Sequence, residues 1–442
     1  MTRSVRVGLS LLSGLALAAV MGISGIQAGA TEAAAPAATI GVDNATPSGH
    51  NFEYVDFFPR DSAVIRDDST VAFQWNAGSP DGFHTATLLP ADSSPTPATW
   101  GGNNSLVTPD EAADGNQLQL QINPAVIAPS QPGCGFGPQA ACTYDGGQQL
   151  NSGALPTPSG ASFRVHIFLD VSAPTTLHFV CLIHHGMQGA LTVLPTNYEG
   201  PQQPSTASSL STASSLQYAA DNAEALSAES AANNKAVATN SDGTHTITMS
   251  AGTASQHVEV AEMLPSRVEI RPGDHVKWTT GTRADIHTVT FPQGAIPQTE
   301  PIPFVCESAS GADTNAAGPG PGACSNPAGF EIHFNPAPVG PTVISSTSTV
   351  ASSGIIANPP APFPTSYTFT FSNSGTFAYQ CRIHDHMVGT IVVNRAQAAA
   401  NPPVLAQTGG RSSSMPWWPA GVGLMLLLIG VAGLRFRFLT HR

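Results

Sequence analysis

Charged residues are scarce in this chain, in which Asp, Glu, Lys and Arg make up 10% of 442 residues. Lysine occurs only at Lys235 and Lys277, and the formal net charge is −13. This argues against a nucleic-acid partner, because binding a phosphate backbone requires a cluster of basic side chains. Without residues 1–30 and 409–442, the chain has 10 basic and 29 acidic side chains and a net charge of −19. Such acidity favours solubility and cationic partners or metal ions.

Long apolar runs are confined to the two ends of the chain. Arg3 and Arg6 precede an apolar stretch over residues 7–26, and Ala-Gly-Ala at residues 28–30 is a small-residue cleavage pattern. This order is typical of a secretory signal peptide. We therefore assign residues 1–30 to a signal peptide and expect the protein to be exported.

The chain has six cysteines. Two of them, Cys181 and Cys381, begin short segments that also carry His and Met, and we assign these two to metal binding. The other four form one nearby pair in each half, and in an exported protein nearby pairs are expected to oxidise. We therefore predict two structural disulfides, Cys134–Cys142 and Cys306–Cys324.

Two segments carry the same donor set at the same spacing. Residues 181–187 read CLIHHGM and residues 381–387 read CRIHDHM, so both follow the pattern Cys-x2-His-x2-Met. A thiolate, an imidazole and a thioether are soft donors that suit copper cycling between Cu(II) and Cu(I). A blue-copper site needs one further His from a distant strand. His84 and His287 are the candidates, and they precede the respective cysteines by 97 and 94 residues.

The matching spans indicate an internal duplication. Each half contains a strand-turn-strand stretch ending in Trp, the single His, a long Pro/Gly-rich excursion with a cysteine pair, and an alternating strand before the Cys-His-Met segment. Short strands separated by turn residues predict an all-β sandwich in each half. We place the first domain at residues 31–197 and the second at 242–395. Residues 198–241 are rich in Ser, Ala and Thr and predict a flexible linker, with room for a solvated helix.

The segments DIHTVTF, VEIRPGDHVKW and FAYQCRIHDHMVGTIVV resemble the cupredoxins. The short Cys-x2-His-x2-Met loop is most similar to that of amicyanin, whereas plastocyanin has two more residues between His and Met. The resemblance covers most of residues 260–395 and, more loosely, residues 64–75 and 176–194. It implies two tandem Greek-key sandwiches, each with a type 1 copper that exchanges one electron with an unidentified redox partner. The ligands it implies are His84, Cys181, His184 and Met187 at the first site, and His287, Cys381, His384 and Met387 at the second.

Copper enzymes are the main alternative, because multicopper oxidases and copper nitrite reductases are built from similar repeats. Their catalytic copper needs several His-x-His pairs, or a His beside the thiolate ligand. Neither Cys181 nor Cys381 follows a His, and the one His-x-His pair, His384 and His386, lies inside the ligand loop. We therefore expect a protein that is not an enzyme. Copper storage, buffering or delivery would use the same ligands, and the sequence does not separate these roles from electron transfer.

The C-terminal segment, residues 396–442, has the pattern of a surface anchor. An apolar run over residues 415–434 is long enough to cross a bilayer, and three arginines after residue 434 would keep the tail cytoplasmic. The order resembles the sortase sorting signals of Gram-positive surface proteins, in the LAxTG variant of actinobacteria. It implies cleavage after residue 408 and attachment to the cell wall, and a simple membrane anchor is the alternative. The motif LAQTG consists of Leu405, Ala406, Gln407, Thr408 and Gly409.

Overall fold

The structure is a computed structural model that describes residues 35–76, 84–102, 107–109, 120–137, 139–154, 161–283, 285–294, 304–307, 313–315, 330–334, 338–358, 363–384 and 386–395. The predicted signal peptide, the LAQTG motif and the apolar C-terminal run lie outside these residues. Cys324 also lies outside them, so the pairing of Cys306 with Cys324 remains a prediction. Over the described ranges, no helix has the length and hydropathy needed to cross a bilayer.

The first half is built from short strands. A 3-10 helix covers Pro97–Trp100, and a one-turn helix, α1, covers Pro124–Ile127. The strands are β1 (Ala38–Val42), β2 (Phe52–Tyr54), β3 (Phe57–Phe58), β4 (Ala63–Arg66), β5 (Ser69–Trp75), β6 (Thr87–Leu88), β7 (Val107–Pro109), β8 (Leu120–Ile122), β9 (Cys142–Tyr144), β10 (Leu150–Asn151), β11 (Ser162–Ile167), β12 (Thr175–Val180) and β13 (Gln188–Leu194).

The second half follows one long helix, α2 (Ala207–Ala232). Its strands are β14 (Ala236–Thr239), β15 (His245–Ala254), β16 (Val258–Leu264), β17 (Arg267–Ile270), β18 (His275–Gly281), β19 (Thr290–Phe291), β20 (Phe304–Glu307), β21 (Asp313–Asn315), β22 (Phe330–Phe334), β23 (Val343–Ile344), β24 (Ala351–Ser352), β25 (Ser366–Phe371), β26 (Gly375–Gln380) and β27 (Val388–Val393).

The first half forms two sheets, with strand orders β3-β1-β5-β11-β9 and β10-β6-β12-β13-β4. Alternate residues of β11 are buried because successive side chains of a strand point to opposite faces of its sheet. The core contains Trp75, Phe57, Phe73 and Phe179, and the ring centroids of Phe57 and Phe179 lie 4.8 Å apart, edge to face. The predicted all-β character of this half is therefore confirmed.

The second half repeats this arrangement, with strand orders β2-β16-β15-β18-β25-β23 and β17-β27-β26-β19-β24. Trp278 lies at the centre of its core and packs edge to face against Phe291, Phe369 and Tyr379. The Trp278 indole N–H donates to the Tyr379 hydroxyl at 3.2 Å. A buried indole therefore has the polar partner that its N–H requires.

The two halves share sheets. Strand β2 precedes most of the first half in sequence, yet it pairs antiparallel with β16 of the second half, with Glu53 opposite Glu259. Strand β8 of the first half pairs likewise with β22 of the second. These pairings place Glu53 of β2 in a sheet of the second half, which matters for the candidate sites.

The segment between the halves differs from the predicted flexible linker over residues 207–232. These residues form α2, whose N-terminus is capped by Thr206, with its side chain accepting a hydrogen bond from the Ser209 N–H. Leu210 packs into the first core, and Ala225 packs with residues of β2 and β16. The helix for which the sequence left room is therefore present, and it packs against both halves where a solvated helix was expected. Ala, which is abundant in this segment, has the highest helix propensity.

Candidate metal centres

The first candidate centre lies at one end of the first sandwich. His84 stands shortly before β6, Cys181 directly follows β12, and Met187 directly precedes β13. The turn between the last two is closed by hydrogen bonds from the Cys181 N–H to the Met187 carbonyl (2.9 Å) and from the Met187 N–H to the His184 carbonyl (3.1 Å). The exposed fractions of all four residues are 5% or less. The structure thus brings His84, Cys181 and His184 together and places Met187 at the end of the same turn.

Three donor atoms of this centre form a small triangle. The Cys181 Sγ lies 3.7 Å from the His184 Nδ1 and 4.0 Å from the His84 Nδ1, and the two Nδ1 atoms are 3.0 Å apart. A metal ion about 2.0 Å from each nitrogen and about 2.3 Å from sulfur sets such atoms roughly 3.5 Å apart in a trigonal plane. The triangle therefore fits one ion, and two imidazoles with one thiolate are the trigonal donor set of blue copper.

The second candidate centre repeats the first. Cys381 and Met387 bracket the turn between β26 and β27, and the Cys381 N–H donates to the Met387 carbonyl at 2.8 Å. The Cys381 Sγ lies 3.6 Å from the His384 Nδ1, and His287 completes a group whose ligand atoms lie within 4.8 Å of one another. A two-way backbone pairing with Ile356 anchors His287. Both ring nitrogens of the fully buried His287 lack a hydrogen-bond partner among the described residues, as expected of an imidazole built to hold an ion.

The surroundings of both cysteines favour the thiolate. The Thr85 N–H donates to the Cys181 Sγ at 3.3 Å, and the Thr288 N–H donates to the Cys381 Sγ at 3.4 Å. Burial alone raises the pKa of each thiol, but the neighbouring imidazoles outweigh it and bring both pKa values well below the ordinary value. A deprotonated thiol is the form that binds metal.

The two centres differ in what faces the Nε2 atom of the distant histidine, which is His84 in the first centre and His287 in the second. The His84 Nε2 faces a carboxylate, with the Asp43 Oδ2 at 3.6 Å. Burial lowers the pKa of His84, but Asp43 and Cys181 raise it well above its usual range. The His287 Nε2 instead faces the backbone of Gly252, where an added Cβ would lie only 2.3 Å away. A carboxylate behind a metal-binding imidazole orients the ring and raises its basicity, so only the first centre has this support at its distant histidine.

Two further carboxylates, Glu53 and Asp285, lie between the centres, and the sequence did not single them out. The Glu53 Oε1 is 3.4 Å from the His184 Nε2, and the Asp285 Oδ2 is 3.8 Å from the His384 Nε2. Burial and the nearby Asp285 raise the pKa of Glu53 well above its ordinary value. Burial lowers the pKa of His384, but Cys381 and the two carboxylates raise it to about 10. The one local signal in the sequence for these carboxylates was the position of Asp285, two residues before the candidate ligand His287.

No protein-family model matches the chain, and no curated protein matches it. Among solved structures, the chain is similar to the cupredoxin auracyanin B, with 18% identity over 36% of this chain and 91% of auracyanin B and a TM-score of 0.21. Amicyanin from Paracoccus versutus matches with 15% identity over 37% of this chain and 92% of its own, at a TM-score of 0.17. Auracyanin from Roseiflexus castenholzii matches with 13% identity over 36% of this chain and 96% of its own, at a TM-score of 0.19.

The remaining residues near the ligand loops are also placed by the structure. Cys134 and Cys142 form a disulfide, while Cys181 and Cys381 are free thiols. His386 is exposed. His185 is half-buried beside Trp100, with ring centroids 5.9 Å apart. The Trp100 indole N–H donates to the Cys181 carbonyl at 2.6 Å, so the long excursion of the first half supplies a residue that braces the ligand loop.

Proposed function

We propose that the protein binds one type 1 copper at each centre and transfers single electrons. The observation that carries the proposal is the buried His-Cys-His group, present in both halves, in which the Nδ1 atom of the ligand-loop histidine is directed toward the sulfur. Copper bound there supplies a one-electron change between Cu(II) and Cu(I). Cys181 and Cys381 would supply the thiolate ligands, the four histidines the imidazole ligands, and Met187 and Met387 the thioether ligands.

The chain's own residues suit this role in two ways. Each ligand loop is pinned by a hydrogen bond across its base, so the donors keep their places when the charge of the ion changes. Burial of the ligands excludes water from the centres. Burial also favours copper retained by the protein over copper handed to another protein, since release would require the loop to open. Among solved structures similar to this chain, auracyanin A is a blue copper protein.

The test is copper loading of the purified residue 31–408 ectodomain, with metal analysis, optical spectra and EPR. We expect two coppers per chain and an intense blue thiolate-to-copper band. Cys181→Ser and Cys381→Ser should each remove one copper and their share of the band. His384→Ala should do the same at the second centre, whereas His386→Ala, a matched change at an exposed residue of the same loop, should leave both coppers in place. A colourless protein after loading would contradict the proposal.

We further propose that the protein works at the cell surface, because residues 1–30 have the pattern of an export signal and LAQTG precedes an apolar run and three arginines. If a sortase cleaves after Thr408, the mature protein is released by a cell-wall hydrolase and not by detergent. Thr408→Ala should move it into the detergent-soluble membrane fraction. Wild-type protein that keeps its C-terminal tail and extracts fully with detergent would show a simple membrane anchor instead.

A further inference from the structure

The two candidate centres face each other across a pair of buried carboxylates. Glu53 comes from β2, which belongs by sequence to the first half and by hydrogen bonding to a sheet of the second. Asp285 comes from the second half, two residues before His287. Their exposed fractions are 3% and 9%. Burying a carboxylate is costly unless a positive or hydrogen-bonding partner compensates.

The partners that compensate these carboxylates are imidazoles of both centres. The Asp285 Oδ1 lies 3.9 Å from the His184 Nε2, while its Oδ2 lies 3.8 Å from the His384 Nε2. One carboxylate group therefore spans the gap between a ligand of the first centre and a ligand of the second. The Glu53 Oε1 adds contacts to the Nε2 atoms of His184 at 3.4 Å and His84 at 3.9 Å. Over the described residues, the ion pairs of Glu53 and Asp285 are all with histidines.

The orientation of the rings gives these contacts a chemical role. In His184 and His384, Nδ1 faces the thiolate and Nε2 faces the carboxylates. An imidazole that binds a metal through Nδ1 keeps its proton on Nε2, and a carboxylate facing that N–H fixes the tautomer and the ring orientation. The distances from the carboxylate oxygens to the Nε2 atoms, 3.4 to 3.9 Å, exceed those of direct hydrogen bonds. The contacts therefore act mainly through charge, or through a water held between the groups.

We propose that Glu53 and Asp285 are shared positioning residues, which orient His184 and His384 and make each metal centre dependent on the other half of the chain. The proposal rests on copper binding at the two centres. Its distinctive consequence is that Asp285, a residue of the second half, sets the properties of the first centre. Two independent domains joined by a flexible linker would show no such dependence.

The experiment reads the first centre alone. In the full ectodomain carrying Cys381→Ser, the blue band and the EPR signal come only from the first centre. Asp285→Asn is then added, which removes the charge and keeps the shape. Asp242→Asn is the matched control, because Asp242 also belongs to the second half, is exposed, and hydrogen-bonds Thr244.

We expect Asp285→Asn to retain copper at the first centre, to shift its EPR signal and to raise its potential. A negative charge stabilises Cu(II) over Cu(I), and one about 8 Å away at an effective dielectric constant near 20 changes the Cu(I)/Cu(II) ratio at a fixed applied potential by roughly thirtyfold. Spectroelectrochemical titration measures this ratio. Asp242→Asn should leave both the signal and the potential unchanged.

A first centre that responds to Asp285→Asn no more than to Asp242→Asn would overturn the inference. Three metal ions per wild-type chain, falling to two in Asp285→Asn, would overturn it as well, since the carboxylates would then be ligands. If the Asp285→Asn variant does not fold, Glu53→Gln is tested in the Cys381→Ser ectodomain instead. An EPR signal of the first centre that Glu53→Gln leaves unchanged would then overturn the proposal. If the Cys381→Ser ectodomain is colourless after copper loading, copper binding itself is overturned. If it is blue, and its EPR signal and potential do not change with Asp285→Asn or Glu53→Gln, only the shared positioning is overturned.

Discussion

Replacing Gly252 by alanine should disable the second centre while sparing the first. Gly252 interrupts β15 at a bulge, with φ at +75°, and its backbone lies against the ring of His287. A Cβ at this position would lie 2.3 Å from the His287 Nε2 and 2.7 Å from the Thr282 Cγ2, closer than real Cβ contacts allow. The ring has no room to retreat, because His287 is fully buried and paired through its backbone with Ile356.

The expected loss of stability in Gly252→Ala has two parts. A non-glycine residue in the left-handed region costs about 1–2 kcal/mol, and overpacking a buried contact costs about 1–3 kcal/mol. The sum is a large fraction of the ~5–15 kcal/mol that stabilises a typical domain. The assay is urea unfolding of the apo-protein, with copper content and EPR of the loaded protein. We expect a loss of about 2–5 kcal/mol in the free energy of unfolding and loss of the copper held by Cys381.

Gly243→Ala provides the control. Gly243 also lies in the left-handed region, with φ at +82°, but no atom lies within 4 Å of an added Cβ. Gly243→Ala should therefore lose only the stability that a non-glycine residue costs in the left-handed region, and it should keep both coppers. If Gly252→Ala were as stable as Gly243→Ala and both loaded two coppers with unchanged EPR signals, the packing of Gly252 against a metal ligand would be refuted.

Two further predictions concern the first half and the helix. Trp100→Phe leaves the buried Cys181 carbonyl without its indole donor, so we expect a loss of about 1–3 kcal/mol in urea unfolding and, in Cys381→Ser protein, a changed EPR signal. Burial and Asp56 raise the pKa of Asp221 in α2 to about 7, above the unfolded value near 4. The folded state then binds the extra proton, so wild-type protein should lose stability relative to Asp221→Asn as the pH rises from 4 through 7. Parallel unfolding curves of the two proteins across this range would contradict that assignment.

The ligand loops could be predicted because their geometry is local. Cys-x2-His-x2-Met leaves only enough chain for one turn between two strands, and the alternating residues on either side predict those strands. Residues 181–187 and 381–387 accordingly join β12 to β13 and β26 to β27. The distant histidines could be nominated because the duplication repeats their spacing. The structure places both of them beside the loops, just before β6 and β19, which pair with β12 and β26 in the same sheets.

The residues behind the ligands could not be predicted, because their positions depend on contacts between distant segments. Glu53 reaches the first centre from a strand that pairs with β16, and nothing in the sequence around it signals that pairing. Gly252 is one of 42 glycines in the chain, and only the bulge in β15 brings it against His287. The packing of α2 could not be predicted for a related reason, since it relies on small residues such as Ala225 and not on a large apolar stripe.

The two centres share a donor set but not an environment, and this difference has a chemical consequence. Glu53 and Asp285 lie between the centres, and Asp285 faces both His184 and His384. Asp43 faces His84 at the first centre only, while the backbone of Gly252 closes off His287 at the second. Negative charge near an ion favours its higher oxidation state, so the first centre should hold Cu(II) more strongly. Two centres with one ligand pattern would then differ in potential, and an electron placed on the chain would reside preferentially at the second.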